Sequence, residues 1–183
     1  MRIIAGRWRG LRLAAVGKGD ARNALRPTTD RVRESLFNIL QNHVDFDGLW
    51  VLDLFAGTGA LGVEALSRGA VQCTFVEMGR VGAGLITENI HLTGSAEYTN
   101  LIKRDATKLG DGTPHDLIFL DPPYGRDLGQ RALQNAMARG WVAPDALVVW
   151  EEFAPMTLPG LNVQDTRKFG GSYITLLRAK AHP

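Results

Sequence analysis

The chain has 183 residues, 45% of them hydrophobic and 22% charged, with a formal net charge of +2. That length matches one domain, large enough to bury a core without disulfide or metal staples, and the single cysteine, Cys73, has no intramolecular partner. No apolar run approaches the roughly 20 residues that cross a bilayer, and charge interrupts the opening Met1–Arg9 before a signal-peptide core could form, so the expectation is a cytoplasmic globular protein.

The net charge conceals an asymmetry. Residues 1–35 carry nine basic and three acidic side chains, or +6, whereas residues 36–183 carry −4. Arg2, Arg7, Arg9 and Arg12 are interleaved with Ile3, Ile4, Trp8, Leu11 and Leu13, with Gly6 and Gly10 between them. Apolar residues and glycine turns predict a small ordered β-hairpin. A folded basic hairpin carrying an aromatic is the electrostatic footprint of a nucleic-acid binder; the competing reading is a solvated arm.

Farther along, Thr29 or Asp30 caps a helix whose apolar positions Val32, Leu36, Phe37, Ile39 and Leu40 share one stripe. Leu49–Leu54 is a nearly continuous apolar run, the pattern of a strand buried on both faces. A glycine loop and a helix through Leu61, Val63 and Leu66 follow, stopped by Gly69. Val71–Val76 is a second strand, and residues 80–92 a helix weakened on paper by Gly82 and Gly84. Leu101–Lys103, Asp116–Leu120 and Ala146–Trp150 are three further strands, with a helix over 127–139 before the last. Val163–Arg167 and Ser172–Leu177 form a β-pair around Gly170-Gly171. Alternating strands and helices predict a mostly parallel seven-stranded α/β sheet, helices on both faces, finished by an antiparallel hairpin. The expected division is a basic hairpin extension over 1–25 and a main domain over 26–183.

Asp53-Leu54-Phe55-Ala56-Gly57-Thr58-Gly59-Ala60-Leu61-Gly62 places G-x-G-x-x-G after a buried strand and at a helix start, where the backbone can approach a ligand closely. Glu77 ends the next strand, placed to accept hydrogen bonds from ribose hydroxyls. The loop fits a dinucleotide or S-adenosylmethionine. Asp53, just ahead of it, favours the second, because a carboxylate beside a pyrophosphate is repelled. Asp105, after the third strand, can accept from an adenine amino group. Asp121-Pro122-Pro123-Tyr124 ends the fourth strand, at the same sheet edge as the glycine loop. Asp121 and the Pro122 carbonyl can hold an exocyclic amine with its lone pair toward a methyl group, and Tyr124 can stack on a flipped-out base.

Val51–Gly62, Glu77, Asp105 and Asp121–Tyr124 resemble the successive motifs of class I S-adenosylmethionine-dependent amino-methyltransferases, whose fold is Rossmann-like. Arg2-Ile3-Ile4-Ala5-Gly6, with Trp8-Arg9-Gly10 and Arg26–Asn38, is similar to the bacterial 16S ribosomal RNA guanine-N2 methyltransferase family that modifies guanine 966 of the small subunit. The resemblance implies that Asp53, Phe55, Gly57 and Gly59 line the methyl-donor pocket, Glu77 binds ribose and Asp105 contacts adenine. It implies that Asp121, Pro122 and Tyr124 hold the guanine. Arg2, Arg7, Trp8, Arg9, Arg12, Arg26, Arg31 and Arg33 would then meet 16S rRNA, naked or in an assembling 30S subunit, and the segment Arg26–Arg33 would help close the donor site. The expected reaction is in-line methyl transfer to a neutral amine by a monomer without metal, since His43, His91, His115 and His182 lack ligand spacing. Asp-Pro-Pro-Tyr does not by itself choose the base, so an adenine-N6 methyltransferase is the nearest rival. A nicotinamide-dependent oxidoreductase and a non-catalytic RNA-binding module are the others.

Overall fold

The computed structural model describes residues 1–16 and 29–181. Arg26, expected among the RNA contacts, therefore lies outside the described residues. Helix α1 (Asp30–Leu40) begins at Thr29, whose hydroxyl accepts from the Val32 amide at 3.3 Å. Then come β1 (Trp50–Leu54), α2 (Ala60–Ser67), β2 (Gln72–Val76), α3 (Arg80–Thr93), β3 (Thr99–Ile102), β4 (His115–Leu120) and α4 (Leu128–Ala138). The chain closes with β5 (Val142–Glu152), β6 (Leu161–Phe169) and β7 (Ser172–Ala179).

The seven strands form one sheet in the order β3-β2-β1-β4-β5-β7-β6. The first five in that order are mutually parallel; β7 runs antiparallel to both β5 and β6. Alternation along the strands divides the core into two layers. Val51, Phe75, Leu117, Phe119 and Val149 face α1, α2, Ala83 and Ile86 of α3, and Ile3 and Leu13 of the N-terminal arm. Leu52, Leu54, Ile118, Leu120, Val148 and Trp150 face Ala132, Leu133 and Ala136 of α4 and the turn at Ala106–Leu109. The arm is a hairpin with one antiparallel bridge, Arg2 to Arg12, and Ile3 exchanges backbone hydrogen bonds of 2.9 Å with Leu11 and Gly10.

Chain direction reverses between β1 and β4: from β1 the chain moves toward β2 and β3, and after β4 toward β5. That switch point opens a crevice at the carboxyl edge of the sheet, where ligands of open α/β sheets bind. No helix among the described residues is long and apolar enough to cross a membrane.

Candidate active site

The loop after β1 is shaped by backbone that only glycine adopts freely. Gly57 and Gly59 have φ of 57° and 75°. Gly62 serves close packing instead: a Cβ there would fall 2.5 Å from the Cys73 sulfur, so α2 lies flat on β2. Asp53 is 2% exposed, and its Oδ2 accepts from the Gly62 amide at 3.1 Å. Burial pushes its carboxyl well above the ordinary range, against that hydrogen bond, and the charges of Asp121 and Glu77 push the same way. Asp53 thus braces the loop from beneath.

Glu77 ties the loop to the next strand end. Its Oε2 accepts from the Gly57 amide at 2.8 Å and its Oε1 from the Gly79 amide at 2.6 Å, which leaves each oxygen a further lone pair. α3 can approach because residue 82 is glycine; a Cβ there would sit 2.8 Å from the Gly57 carbonyl oxygen. Asp105, beyond β3, accepts from the Thr107 amide at 2.9 Å and the Thr107 hydroxyl at 2.8 Å. Those two bonds, the amide first, hold its carboxyl below the usual range. Phe55, Gly57, Glu77 and Asp105 therefore share one rim, across three adjacent strand ends. The set fits an adenosine-bearing ligand: a small-residue cradle, an anchored carboxylate for a ribose diol and a second acid farther along.

Asp121 stands across the crevice. β1 and β4 pair in register, Leu54 with Leu120, so Asp121 emerges beside Phe55. Its carboxyl is pushed up to about 8, by burial first and then by the charges of Glu151 and Glu152. The Tyr124 hydroxyl donates to Glu151 Oε1 at 2.6 Å, and the Ser172 hydroxyl donates to the same oxygen at 2.8 Å. Burial, then that bond, raises the phenol too. The Tyr124 ring meets Phe153 edge-on, with centroids 4.4 Å apart, and Phe153 is 57% exposed. Pro122 is buried against the start of α4, where only a glycine, Gly129, leaves room.

Glu151, Ser172 and Phe153 belong to this constellation and were not among the expected residues. One signal for the first was present: Glu151-Glu152 directly follows the apolar run Ala146–Trp150, at the same sheet edge as Asp121.

The basic arm is clamped onto α2. Buried Glu64 accepts from the Ile4 amide at 2.9 Å, the Ala5 amide at 3.0 Å and Arg68 Nε at 2.9 Å. Ser67 receives the Trp8 amide at 3.1 Å and donates to the Ala5 carbonyl at 2.6 Å. Arg2, Arg7, Arg9, Arg12 and Arg31 are exposed, and Trp8 is half-buried, with the Arg7 guanidinium 4.1 Å above its ring. At the arm's end the buried Asn89 of α3 accepts from the Ala14 amide at 2.7 Å and donates to the Thr58 carbonyl at 2.9 Å, linking arm to glycine loop.

Arg33 is a correction. Expected to meet RNA, it is 0% exposed. Its guanidinium donates to the Arg2 carbonyl and to Asp30 at 3.0 Å, and lies 3.7 Å from Glu64. Arg33 occupies the same helical stripe as Leu36, Phe37 and Leu40, so it turns inward with them and acts as a strut between α1, α2 and the arm.

Comparison with known proteins agrees with this architecture. Ribosomal RNA small subunit methyltransferase D of Escherichia coli K12 is 40% identical over 161 residues, covering 87% of this chain and 78% of that protein. Its namesake from Haemophilus influenzae is 38% identical over 156 residues, covering 82% and 78%. The solved structure of Escherichia coli yhhF superimposes with a TM-score of 0.86 at 34% identity, covering 100% of this chain and 99% of the other. The sheet is thus that of the Rossmann-like methyltransferases. With its profile matched over residues 1–178, the chain belongs to the Conserved hypothetical protein 95 family.

Proposed function

We propose that this chain transfers a methyl group from S-adenosylmethionine to the exocyclic N2 amine of guanine 966 in 16S ribosomal RNA, within an assembling small subunit. The observation that carries the reading is the convergence, at one topological switch point, of the Gly57–Gly59 loop anchored by Glu77 with the Asp121–Tyr124 turn. The relatives named as ribosomal RNA small subunit methyltransferases support it.

When bound, the donor supplies an electrophilic methyl group on a sulfonium. Phe55, Gly57 and Gly59 line its pocket, with Asp53 supporting them from below; Glu77 receives the ribose hydroxyls and Asp105 the adenine amine. Asp121 and the Pro122 carbonyl accept the two hydrogens of the target amine, which turns its lone pair toward the methyl group. Tyr124, fixed by Glu151, stacks on the base. Asp121 then takes the proton released by the alkylated amine, a step helped by its elevated proton affinity. Residues 1–25 act as an RNA-gripping extension of a transferase domain over 26–183. In it Arg2, Arg7, Trp8, Arg9 and Arg12, together with Arg31, meet phosphates and bases.

The test is incubation with labelled donor and undermethylated small subunits, followed by nucleoside digestion. N2-methylguanosine is expected, and Asp121→Ala abolishes it while donor binding persists. N6-methyladenosine would instead assign the chain to adenine chemistry.

A further inference from the structure

Asp-Pro-Pro-Tyr holds an amine without choosing the base that bears it. The choice falls to whatever flanks Asp121 on the side of the ring nitrogen N1. In guanine, N1 carries a hydrogen and donates. In adenine, N1 presents a lone pair and accepts. An acceptor beside Asp121 therefore admits guanine, whereas a donor would admit adenine.

The structure puts an acceptor there. β4 and β5 pair in parallel register, Leu120 with Trp150, so the next residues, Asp121 and Glu151, stand side by side about 4.8 Å apart across the sheet. They also share a face. Phe119 and Val149, each two residues earlier, point into the same core layer, and alternation carries Asp121 and Glu151 to that same side. Glu151 is held rigidly there: its Oε1 receives the hydroxyls of Tyr124 and Ser172 at 2.6 and 2.8 Å. No hydrogen bond among the described residues reaches its Oε2. Glu152, one residue on, belongs to the opposite face with Trp150, and its Oε1 receives the Phe153 amide at 3.0 Å. Glu151 is thus the carboxylate that shares the crevice with Asp121.

We infer that Glu151 is the base-selecting residue, its free Oε2 accepting the N1–H of the guanine whose amine Asp121 holds and whose face Tyr124 covers. The inference rests on the guanine-N2 reading above and deepens it. An ionised carboxylate is acceptor-only. It rewards N1–H with a charge-assisted hydrogen bond and opposes the lone pair of an adenine N1. One side chain then does two things, since the oxygen that fixes the stacking tyrosine belongs to the carboxylate that reads the base.

The test compares small subunits carrying guanine or 2-aminopurine at the target position. 2-Aminopurine keeps the same 2-amine but has a bare N1. Wild-type protein is expected to methylate 2-aminopurine with kcat/KM lower by roughly 10- to 100-fold. In Glu151→Gln the amide oxygen still receives both hydroxyls while the amide nitrogen donates to the bare N1, so the preference shrinks to a few-fold or inverts. Tyr124→Phe, which keeps the ring and drops the hydroxyl, lowers both rates and leaves the ratio near the wild-type value. Equal use of the two bases by wild-type protein overturns the inference whether or not the variants fold. So does a wild-type ratio unchanged in Glu151→Gln. Failure of the underlying reading shows separately, as an absence of N2-methylguanosine from the wild-type digest.

Discussion

Glu64 carries more of the fold than any other polar side chain described above, and its removal makes the sharpest stability prediction. In Glu64→Ala the Ile4 and Ala5 amides lose their acceptor, the Arg68 guanidinium loses its counter-charge, and the buried guanidinium of Arg33 is left with Asp30 alone. Breaking a buried ion pair from one side costs about 3–5 kcal/mol, and each amide left buried without an acceptor costs about 1–3 kcal/mol. These penalties do not simply add, because the arm can lift away. Undocking exposes Ile3 and Leu13, whose burial is worth about 1.5–3 kcal/mol each, so the loss saturates near about 5 kcal/mol. For a domain of this size that lowers the melting temperature by about 10–20 °C. Thermal unfolding followed by circular dichroism measures it, with Trp8 fluorescence reporting the arm. Glu64→Gln, which keeps an acceptor but not the charge, falls between. A Glu64→Ala protein melting within about 3 °C of wild type, with its arm still docked, would refute the reasoning.

Asp121 links chemistry to pH. Its carboxyl holds a proton up to about 8, so kcat/KM should climb from about pH 6 to about pH 9 as the accepting form appears. The stability consequence has the opposite sign: the folded chain keeps a proton that the unfolded chain releases near the ordinary carboxyl value, so this group stabilises the fold at low pH and that contribution is lost as pH rises through about 8. Asp121→Asn should therefore gain melting temperature relative to wild type more at about pH 9 than at about pH 6, as a pair of thermal scans would reveal. Asn89→Ala, which touches no ligand in the proposed site, should weaken donor binding severalfold by calorimetry, because it frees Thr58 and Ala14 together; unchanged affinity would uncouple arm from loop. Arg7→Ala and Arg9→Ala should each reduce the salt slope of RNA binding by about 1, whereas Arg33→Ala should show up in melting temperature instead.

Sequence patterning located the elements well where the pattern was unambiguous. Leu49–Leu54, apolar but for Asp53, and Ala146–Trp150 carry the pattern of strands covered on both faces, and both became interior strands of the sheet. The Asp53–Gly62 loop and the Asp121–Tyr124 turn were legible because each follows such a strand. What escaped depended on partners distant in sequence. Gly82 reads as a helix weakener, yet its missing side chain is what lets α3 reach the Gly57 carbonyl. Arg33 reads as one more cation in a basic run; its inward position depends on partners that include a buried acid 31 residues later, Glu64, and the Arg2 carbonyl 31 residues earlier. Glu151 carried one signal, its place after the Ala146–Trp150 run, but the strand pairing that sets it beside Asp121 cannot be read from either segment alone. β5 also extends farther than its apolar run, since its pairing with β4 resumes at His115 and Val142 across a register shift.

The place of β7 in the sheet has a consequence for how the protein comes into being. Threaded between β5 and β6, it is the last strand among the described residues and the one that delivers Ser172 to Glu151. Until it arrives, β5 presents an open edge over Leu147–Glu152, and the tyrosine assigned to the proposed base site hangs from a carboxylate with one brace missing. A nascent chain that has folded everything upstream could already cradle a nucleoside yet would lack a rigid floor for its target base. Competence to modify RNA is thereby deferred until β7 has been made, and shortening the chain before Ser172 should silence the enzyme more completely than it disturbs the proposed donor pocket.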